Sequence, residues 1–230
     1  DEVFVRAYSP GGSSLYTLED YLITDLANPY LDQAGYGGLS VSDMVKFMSG
    51  KTASFRTSIG NYQENGSGSA TNKDLETLFE LIYVHFTALN KNDAVFNAYF
   101  NGLKAYYPSL LSDPQTFFQV AIDDKKGEGN ERYTGFPSDE DFDAVDYDLA
   151  HKLRGTRFAD ANDFTFFFSG NFEKEVLEEL IQKYLGALPV LPDEENYQIP
   201  KFRYADKYER LDIKKGTDPK SYVSFTWREL

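Results

Sequence analysis

Asn162-Asp163-Phe164-Thr165-Phe166-Phe167-Phe168-Ser169-Gly170-Asn171-Phe172, then a helical pattern, then Lys183-Tyr184-Leu185-Gly186-Ala187-Leu188-Pro189, is the stretch on which the reading of this chain turns. Phe164 to Phe168 is a continuous apolar run, the pattern of a buried strand. Gly170-Asn171 turns the chain. Glu173 to Leu185 reads as an amphipathic helix, with Glu173 and Glu175 in its first turn and Lys183 in its last, which suits the helix macrodipole. Gly186-Ala187-Leu188-Pro189 stops it.

On the N-terminal side of this unit, strands and helices are mixed. Val3 to Tyr8 alternates as a strand, closed by Ser9-Pro10-Gly11-Gly12. Leu18 to Gln33 reads as a helix with Leu18, Leu22, Leu26 and Tyr30 on one face, kinked or ended early by Pro29. Gly35-Tyr36-Gly37-Gly38 is a turn, and Ser42 is placed to cap a short helix carrying Met44, Val45, Phe47 and Met48. Lys51 to Tyr62 alternates as a strand. Asn65-Gly66-Ser67-Gly68-Ser69 reads as a hairpin-type turn, with a second strand leading into Asn72. Asp74 to Leu89 is the strongest helix, its face marked by Leu75, Leu78, Phe79, Ile82 and Phe86. A helix from Asp93 to Tyr107 ends at Pro108, and Asp113-Pro114 opens another. Gly127 to Gly135 is a polar loop. Residues 138 to 155 read as helical, with Phe142, Val145, Leu149 and Leu153 inward. Beyond the deciding stretch, Pro189 to Pro200 is an acidic, proline-bearing linker. Tyr208 to Lys214 and Tyr222 to Trp227 read as strands around Lys215-Gly216-Thr217-Asp218-Pro219. The fold class expected is α+β, a mixed, largely antiparallel sheet with several helices packed on one face. Residues 1–192 form the main domain, 193–202 a linker, and 203–230 the opening strands of a following domain that is cut short.

Composition narrows the function classes. The chain has 230 residues, 41% of them hydrophobic and 26% charged, ordinary values for a globular protein able to bury a large core. Its 17 Tyr and 19 Phe suit a sheet packed on helices better than a ligand platform. The formal net charge of −14 repels phosphate backbones, which excludes nucleic acid as the expected partner. The absence of Cys excludes disulfides, thiolate zinc sites and thiol catalysis. No apolar run is long enough for a membrane span. The chain begins at Asp1, so processing or trimming is expected to have removed an original start.

Candidate chemistry is sparse. A zincin needs two His one helical turn apart with a Glu as base, yet only His85 and His151 exist, far apart in sequence. Each reads as an ordinary core or surface histidine. Gly50-Lys51-Thr52 resembles the end of a phosphate loop, but position 45 is Val45 rather than Gly, and a helix precedes it where a strand should. Asp139-Glu140-Asp141-Phe142-Asp143 has the acidic spacing of a calcium loop, but Ala144 and Ala150 stand where Gly and Glu are required, so a solvated helix start is expected. Asn65-Gly66-Ser67 is a glycosylation sequon that matters only in a eukaryotic secretory pathway. No residue is assigned a catalytic, cofactor-binding or metal role, and substrate-binding residues are not identifiable from the sequence.

The strand, Gly-Asn turn, acidic helix and Gly-Ala-Leu-Pro stop of residues 162–189 resemble the signature of the pitrilysin/insulinase-type (inverzincin) zinc peptidases. The motif H-x-x-E-H of that family does not occur here. The helix where the family carries it reads Leu18-Glu19-Asp20-Tyr21-Leu22-Ile23-Thr24-Asp25-Leu26, without an imidazole. Ser9-Pro10-Gly11-Gly12-Ser13, Gly35-Tyr36-Gly37, Met48-Ser49-Gly50-Lys51, Asn65-Gly66-Ser67-Gly68, Asp74-Leu75-Glu76-Thr77-Leu78-Phe79-Glu80-Leu81 and Arg157-Phe158-Ala159 occur in the order seen in the non-catalytic third domain of PqqL-like bacterial zinc proteases. The likeness covers roughly residues 3 to 192.

This resemblance implies a metalloenzyme LuxS/processing-peptidase-like domain. It implies a non-catalytic part of a zinc metalloendopeptidase, inactive alone, that helps to enclose and position peptide substrates for the catalytic half of the same protein. Zinc would lie in that other half. An Arg and a Tyr that the family places near the reaction centre come from the following domain, beyond Leu230. A bacterial envelope, periplasmic or exported location follows from the same likeness. The alternative reading is a structural or protein-interaction subunit without proteolytic activity. A third, a carbohydrate-binding domain, would need coplanar exposed aromatics, and the single Trp227 stands near the C-terminal end of this chain.

Overall fold

The computed structural model describes residues 2–192, 195–199, 208–217 and 220–227. Among these, four strands form one antiparallel sheet in the order β2-β3-β1-β4: β1 is Glu2–Pro10, β2 Ala53–Ile59, β3 Gln63–Thr71 and β4 Thr165–Gly170. The α-helices are α1 Leu18–Thr24, α2 Val41–Phe47, α3 Leu75–Thr87, α4 Asp93–Leu110, α5 Pro114–Gly127, α6 Asp139–Asp143, α7 Tyr147–Arg157 and α8 Lys174–Leu180. The expected α+β class, with helices on one side of the sheet, is what the chain adopts.

Strict alternation along β1 sends Val3, Val5 and Ala7 inward and Phe4, Arg6 and Tyr8 outward. The inward set meets Leu78, Phe79 and Ile82 of α3, all fully buried, and Leu177 and Leu180 of α8 close the same core. A second apolar cluster lies among α4, α6, α7 and the 3-10 turn Asn28–Ala34, where Phe96, Phe100, Phe142 and Tyr147 stack in a chain of aromatic contacts.

The deciding stretch folds largely as read, with differences that have physical causes. Phe164 is buried, but β4 is an edge strand whose residues alternate, so Phe167 points outward at 61% exposed. An apolar run cannot by itself show whether both faces of its sheet are covered. Gly170 has a φ of 136°, and a Cβ there would come within 2.2 Å of the Glu2 carbonyl, so the turn after β4 needs glycine. α8 does not continue as α-helix to Leu185. It widens into a π-helical turn, Ile181–Leu185, closed by Gly186 N–H donating to the Ile181 carbonyl at 2.9 Å. Pro189 accepts from Ala161 N–H at 2.9 Å, which returns the chain to the start of β4.

Elsewhere the structure corrects several expectations. The segment read as a hairpin turn, Asn65 to Ser69, is the middle of β3, and the actual turn is at Gly60 to Tyr62. Its glycines make room for Phe55: a Cβ on Gly66 would lie 2.6 Å from that ring, and one on Gly68 2.1 Å from the Ser54 carbonyl. The helix read over Leu18 to Gln33 stops after Thr24 and resumes as the 3-10 turn with Pro29 in its first positions. Its buried side is Tyr21, Thr24, Ala27 and Leu31, while Leu22 is exposed. Ser40, not Ser42, caps α2.

Pro108, read as the end of this helix, sits inside α4 in its last turn, two residues before the helix ends at Leu110, and lacks the N–H for one hydrogen bond. Residues 138 to 155 form two helices, because Asp146 starts α7 by accepting from Leu149 N–H; Tyr147 and Ala150 are buried where Leu149 and Leu153 were expected. The described residues 208–217 and 220–227 hold no regular strand and are largely exposed. A strand is stable only when a neighbour accepts its ladder, and among the described residues none of the sheet pairings involves them. The expected boundary at 193–202 and the first and last parts of 203–230 lie partly outside the described residues.

Candidate functional site

The side of the sheet away from the helices is uncovered. Register places its outward residues in rows across the strands: Ser54, Ser69, Phe4 and Ser169; then Arg56, Ser67, Arg6 and Phe167; then Ser58, Asn65, Tyr8 and Thr165. Hydroxyls, two guanidiniums and three exposed aromatic rings therefore form one continuous surface. Arg56 Nε donates to Ser67 Oγ at 3.2 Å. Among the described residues, no carboxylate pairs with Arg6 or Arg56. A trough of about 510 Å³ runs between the rows, lined by Arg6, Tyr8, Arg56, Ser58, Asn65 and Phe167.

Behind the sheet lies a buried polar seam. Arg154 of α7 donates to Thr57 Oγ1 at 2.6 Å, and its cation lies 3.7 Å from the Phe158 ring centre. His85 of α3 stacks on Tyr36, with ring centres 3.9 Å apart. Burial first, and then the Arg154 charge, push the His85 pKa down to about 3, so this imidazole is neutral. One turn further along α7, Arg157 makes a bidentate pair with Glu195 at 2.7 and 3.0 Å and approaches Glu64 Oε1 at 3.8 Å. Glu64 is fully buried on β3 and accepts from Gly12 N–H at 2.8 Å. Burial raises its pKa; the Gly12 hydrogen bond and the Arg157 charge oppose that. Glu64 Oε2, the Tyr16 hydroxyl and Arg157 Nε have no hydrogen-bond partner among the described residues. The seam has one buried acid, two guanidiniums and an enclosed neutral imidazole; the hydroxyl beside that imidazole, Thr57 Oγ1 at 3.4 Å from Nδ1, accepts from Arg154, and the lowered pKa of His85 makes the ring a weak base. The seam's work is positional: it ties β3, α7 and residues 195–199 together.

The residues singled out in the sequence do not converge. His85 is buried beneath Tyr36, whereas His151 Nε2 lies 3.3 Å from the Leu89 carbonyl oxygen. No group of three His, Cys, Asp or Glu able to hold a metal occurs among the described residues. Asp139 to Asp143 is α6, whose start is a capping box between Ser138 and Asp141. Gly50, at φ 79°, ends α2, and Thr52 N–H goes to the Asp74 carboxylate at 2.8 Å rather than to any loop-bound group. Asn65 of the sequon stands on a strand, not in a loop. Arg6 and Arg56 escaped the sequence reading. Each occupies an outward position of an alternating strand, a signal that gains meaning only once β3 is known to lie between them.

Residues 156–230 match the family described as Peptidase M16 inactive domain, so this part of the chain is similar to a domain of the pitrilysin-type zinc peptidases. Among particular proteins, the chain is 25% identical over 190 residues to the probable zinc protease PqqL of Haemophilus influenzae, covering 82% of this chain and 20% of that protein. The chain thus spans about a fifth of the length of this curated relative. Two solved structures share the fold. The periplasmic protease PqqL from Escherichia coli superposes with a TM-score of 0.70 at 20% identity, over 89% of this chain and 22% of that one. A mutant of the ferredoxin protease FusC, solved in complex with Arabidopsis ferredoxin, superposes with a TM-score of 0.66 at 17% identity, over 86% and 21%. The resemblance carried by residues 162–189 and the ordered segments before them therefore holds.

Proposed function

We propose that this chain is a non-catalytic wall of a larger zinc metallopeptidase, enclosing and positioning peptide for cleavage by another part of the parent protein. The observation that carries this reading is the uncovered sheet face, polar and aromatic, in a chain related to a peptidase inactive domain. A wall contributes by orienting an extended substrate and excluding water, and neither task needs a nucleophile or metal of its own. His85 and His151 do not fit a zinc site, so the parent's zinc belongs to its catalytic half, and no step here runs through the metal. No helix among the described residues is long and apolar enough to cross a membrane. The E. coli relative is called periplasmic, which supports an envelope location for this chain. We keep residues 1–192 as the enclosing unit and 203–230 as the start of a following one, a division supported by the exposed side chains of Val223, Phe225 and Trp227.

The test is peptide cleavage by this chain alone, by the preceding half of its parent, and by the two mixed. Cleavage by the mixture alone, abolished by a zinc chelator, is expected. If neither the mixture nor the full parent cuts, the chain is instead a structural subunit. Chelator-sensitive cleavage by this chain alone overturns both readings.

A further inference from the structure

Arg6 and Arg56 flank the same residue, Ser67, from opposite sides, β1 on one and β2 on the other. Their Cα atoms are two strand spacings apart, about 10 Å. Each guanidinium carries five N–H donors in a rigid plane. The hydrogen bond from Arg56 to Ser67 accounts for one of them. Elsewhere on this acidic molecule, cations are commonly matched by carboxylates, as Lys91, Lys104, Lys183 and Arg210 are. On the open face two cations stand among hydroxyls instead, with Phe167 beside Arg6 in the same row and Phe4 and Tyr8 in the rows on either side.

We infer that this face holds a carboxylate subsite, built by Arg6 and Arg56 around Ser67, that selects acidic, extended peptide segments. The inference rests on the enclosing role proposed above and adds the substrate class. In an extended chain, side chains two residues apart point the same way about 7 Å from one another. Two flexible guanidinium arms about 10 Å apart at their roots reach a pair of carboxylates so spaced, each by bidentate hydrogen bonds. The aromatic rings flank the residues between them. The net charge of −14 offers no long-range attraction to an acidic ligand, and salt screens its repulsion beyond a Debye length. Selection therefore comes from contact with the two guanidiniums, not from long-range steering.

Fluorescence anisotropy with this chain and a labelled, short Thr-Glu repeat peptide tests the subsite, with the Thr-Gln repeat as the neutral counterpart. The Glu peptide is expected to bind about five- to tenfold more tightly, the scale of two exposed charge-assisted pairs. The double variant Arg6→Gln/Arg56→Gln is expected to erase that preference with an unchanged melting curve, since both side chains are exposed. Arg210→Gln, at an exposed pair with Asp212 that belongs to no strand of the sheet, is expected to keep it. Equal binding of the two peptides, no binding of either, a preference that survives in the double variant, or tighter binding of an oligothymidine overturns the subsite. The parent's role is read separately. If the mixed halves cleave neutral peptides while this chain shows no Glu preference, the subsite falls and the wall stands. A Glu preference in a chain whose parent never cleaves leaves the subsite and removes the wall.

Discussion

Gly66 and Gly68 sit in the middle of a strand, where glycine normally weakens a sheet. Here they let the Phe55 ring lie flat on β3 beneath α3. Gly68→Ala would put a Cβ 2.1 Å from the Ser54 carbonyl, a backbone atom that cannot swing away. We expect it to cost about 2 kcal/mol or more in urea unfolding. His85 belongs to the same scale. Its ring is enclosed by Tyr36, Phe55, Thr57 and Arg154, and its pKa falls from the ordinary 6.5 to about 3. Between those values the unfolded chain holds a proton that the folded chain does not. The contribution is thus fully present above pH 6.5 and is lost as pH falls toward 3. Melting curves of His85→Gln between pH 7 and pH 4 should show a shallower acid loss, by at most about 1.4 kcal/mol per pH unit. An identical slope would mean that the imidazole is not shielded. Glu64 acts in the opposite sense, since its raised pKa favours the folded state as pH falls.

At the scale of elements, α7 is the connector. Arg154 reaches β2, and Arg157 reaches both the buried Glu64 of β3 and Glu195 beyond the Gly-Ala-Leu-Pro stop. Residues 195–199 are held further by Gln198 N–H donating to Ser14 Oγ at 2.9 Å and by Tyr197 against Tyr62. Arg157→Met removes the countercharge of a buried carboxylate, and a loss of about 3 kcal/mol is expected from chemical denaturation. Glu195→Ala lies at the exposed end of the same pair and should cost less than about 1 kcal/mol. It should nevertheless make residues 195–199 easier to cut in limited proteolysis. Equal loss of stability in the two variants would show that the buried acid does not depend on Arg157. The π-helical turn after α8 serves the same connecting purpose, because it brings Lys183 and Tyr184 onto Glu76 of α3 at 2.7 and 3.0 Å.

At the scale of the whole molecule, two apolar clusters divide the work. The one between sheet and α3 holds the open face in shape; the aromatic chain through Phe96, Phe100, Phe142 and Tyr147 holds α4, α6 and α7. Phe100→Ala should cost about 3 kcal/mol. Hydrogen exchange should then rise in α4 and α6 while β1, β3 and α3 stay protected. Uniform loss of protection would mean a single cooperative core.

How much of this was legible follows from the range of the forces involved. Alternation along Val3 to Tyr8, the apolar face of Leu75 to Phe86, the Asp113-Pro114 start and the strand–turn–helix of residues 162–189 are local patterns, and the sequence by itself determined them and the α+β class. The missing H-x-x-E-H equally marked the chain as lacking the motif of its catalytic relatives. What depended on partners distant in sequence was decided by the tertiary structure. The glycines of β3 read as a turn until Phe55 lay over them, and Phe164 to Phe168 read as fully buried until one face of the sheet proved to be uncovered. Residues 208–214 and 222–227 read as strands, yet among the described residues no strand pairs with them. Arg6 and Arg56 are unremarkable outward positions in two separate strands. Antiparallel pairing through β3 brings them to one face, and only that register makes them a site.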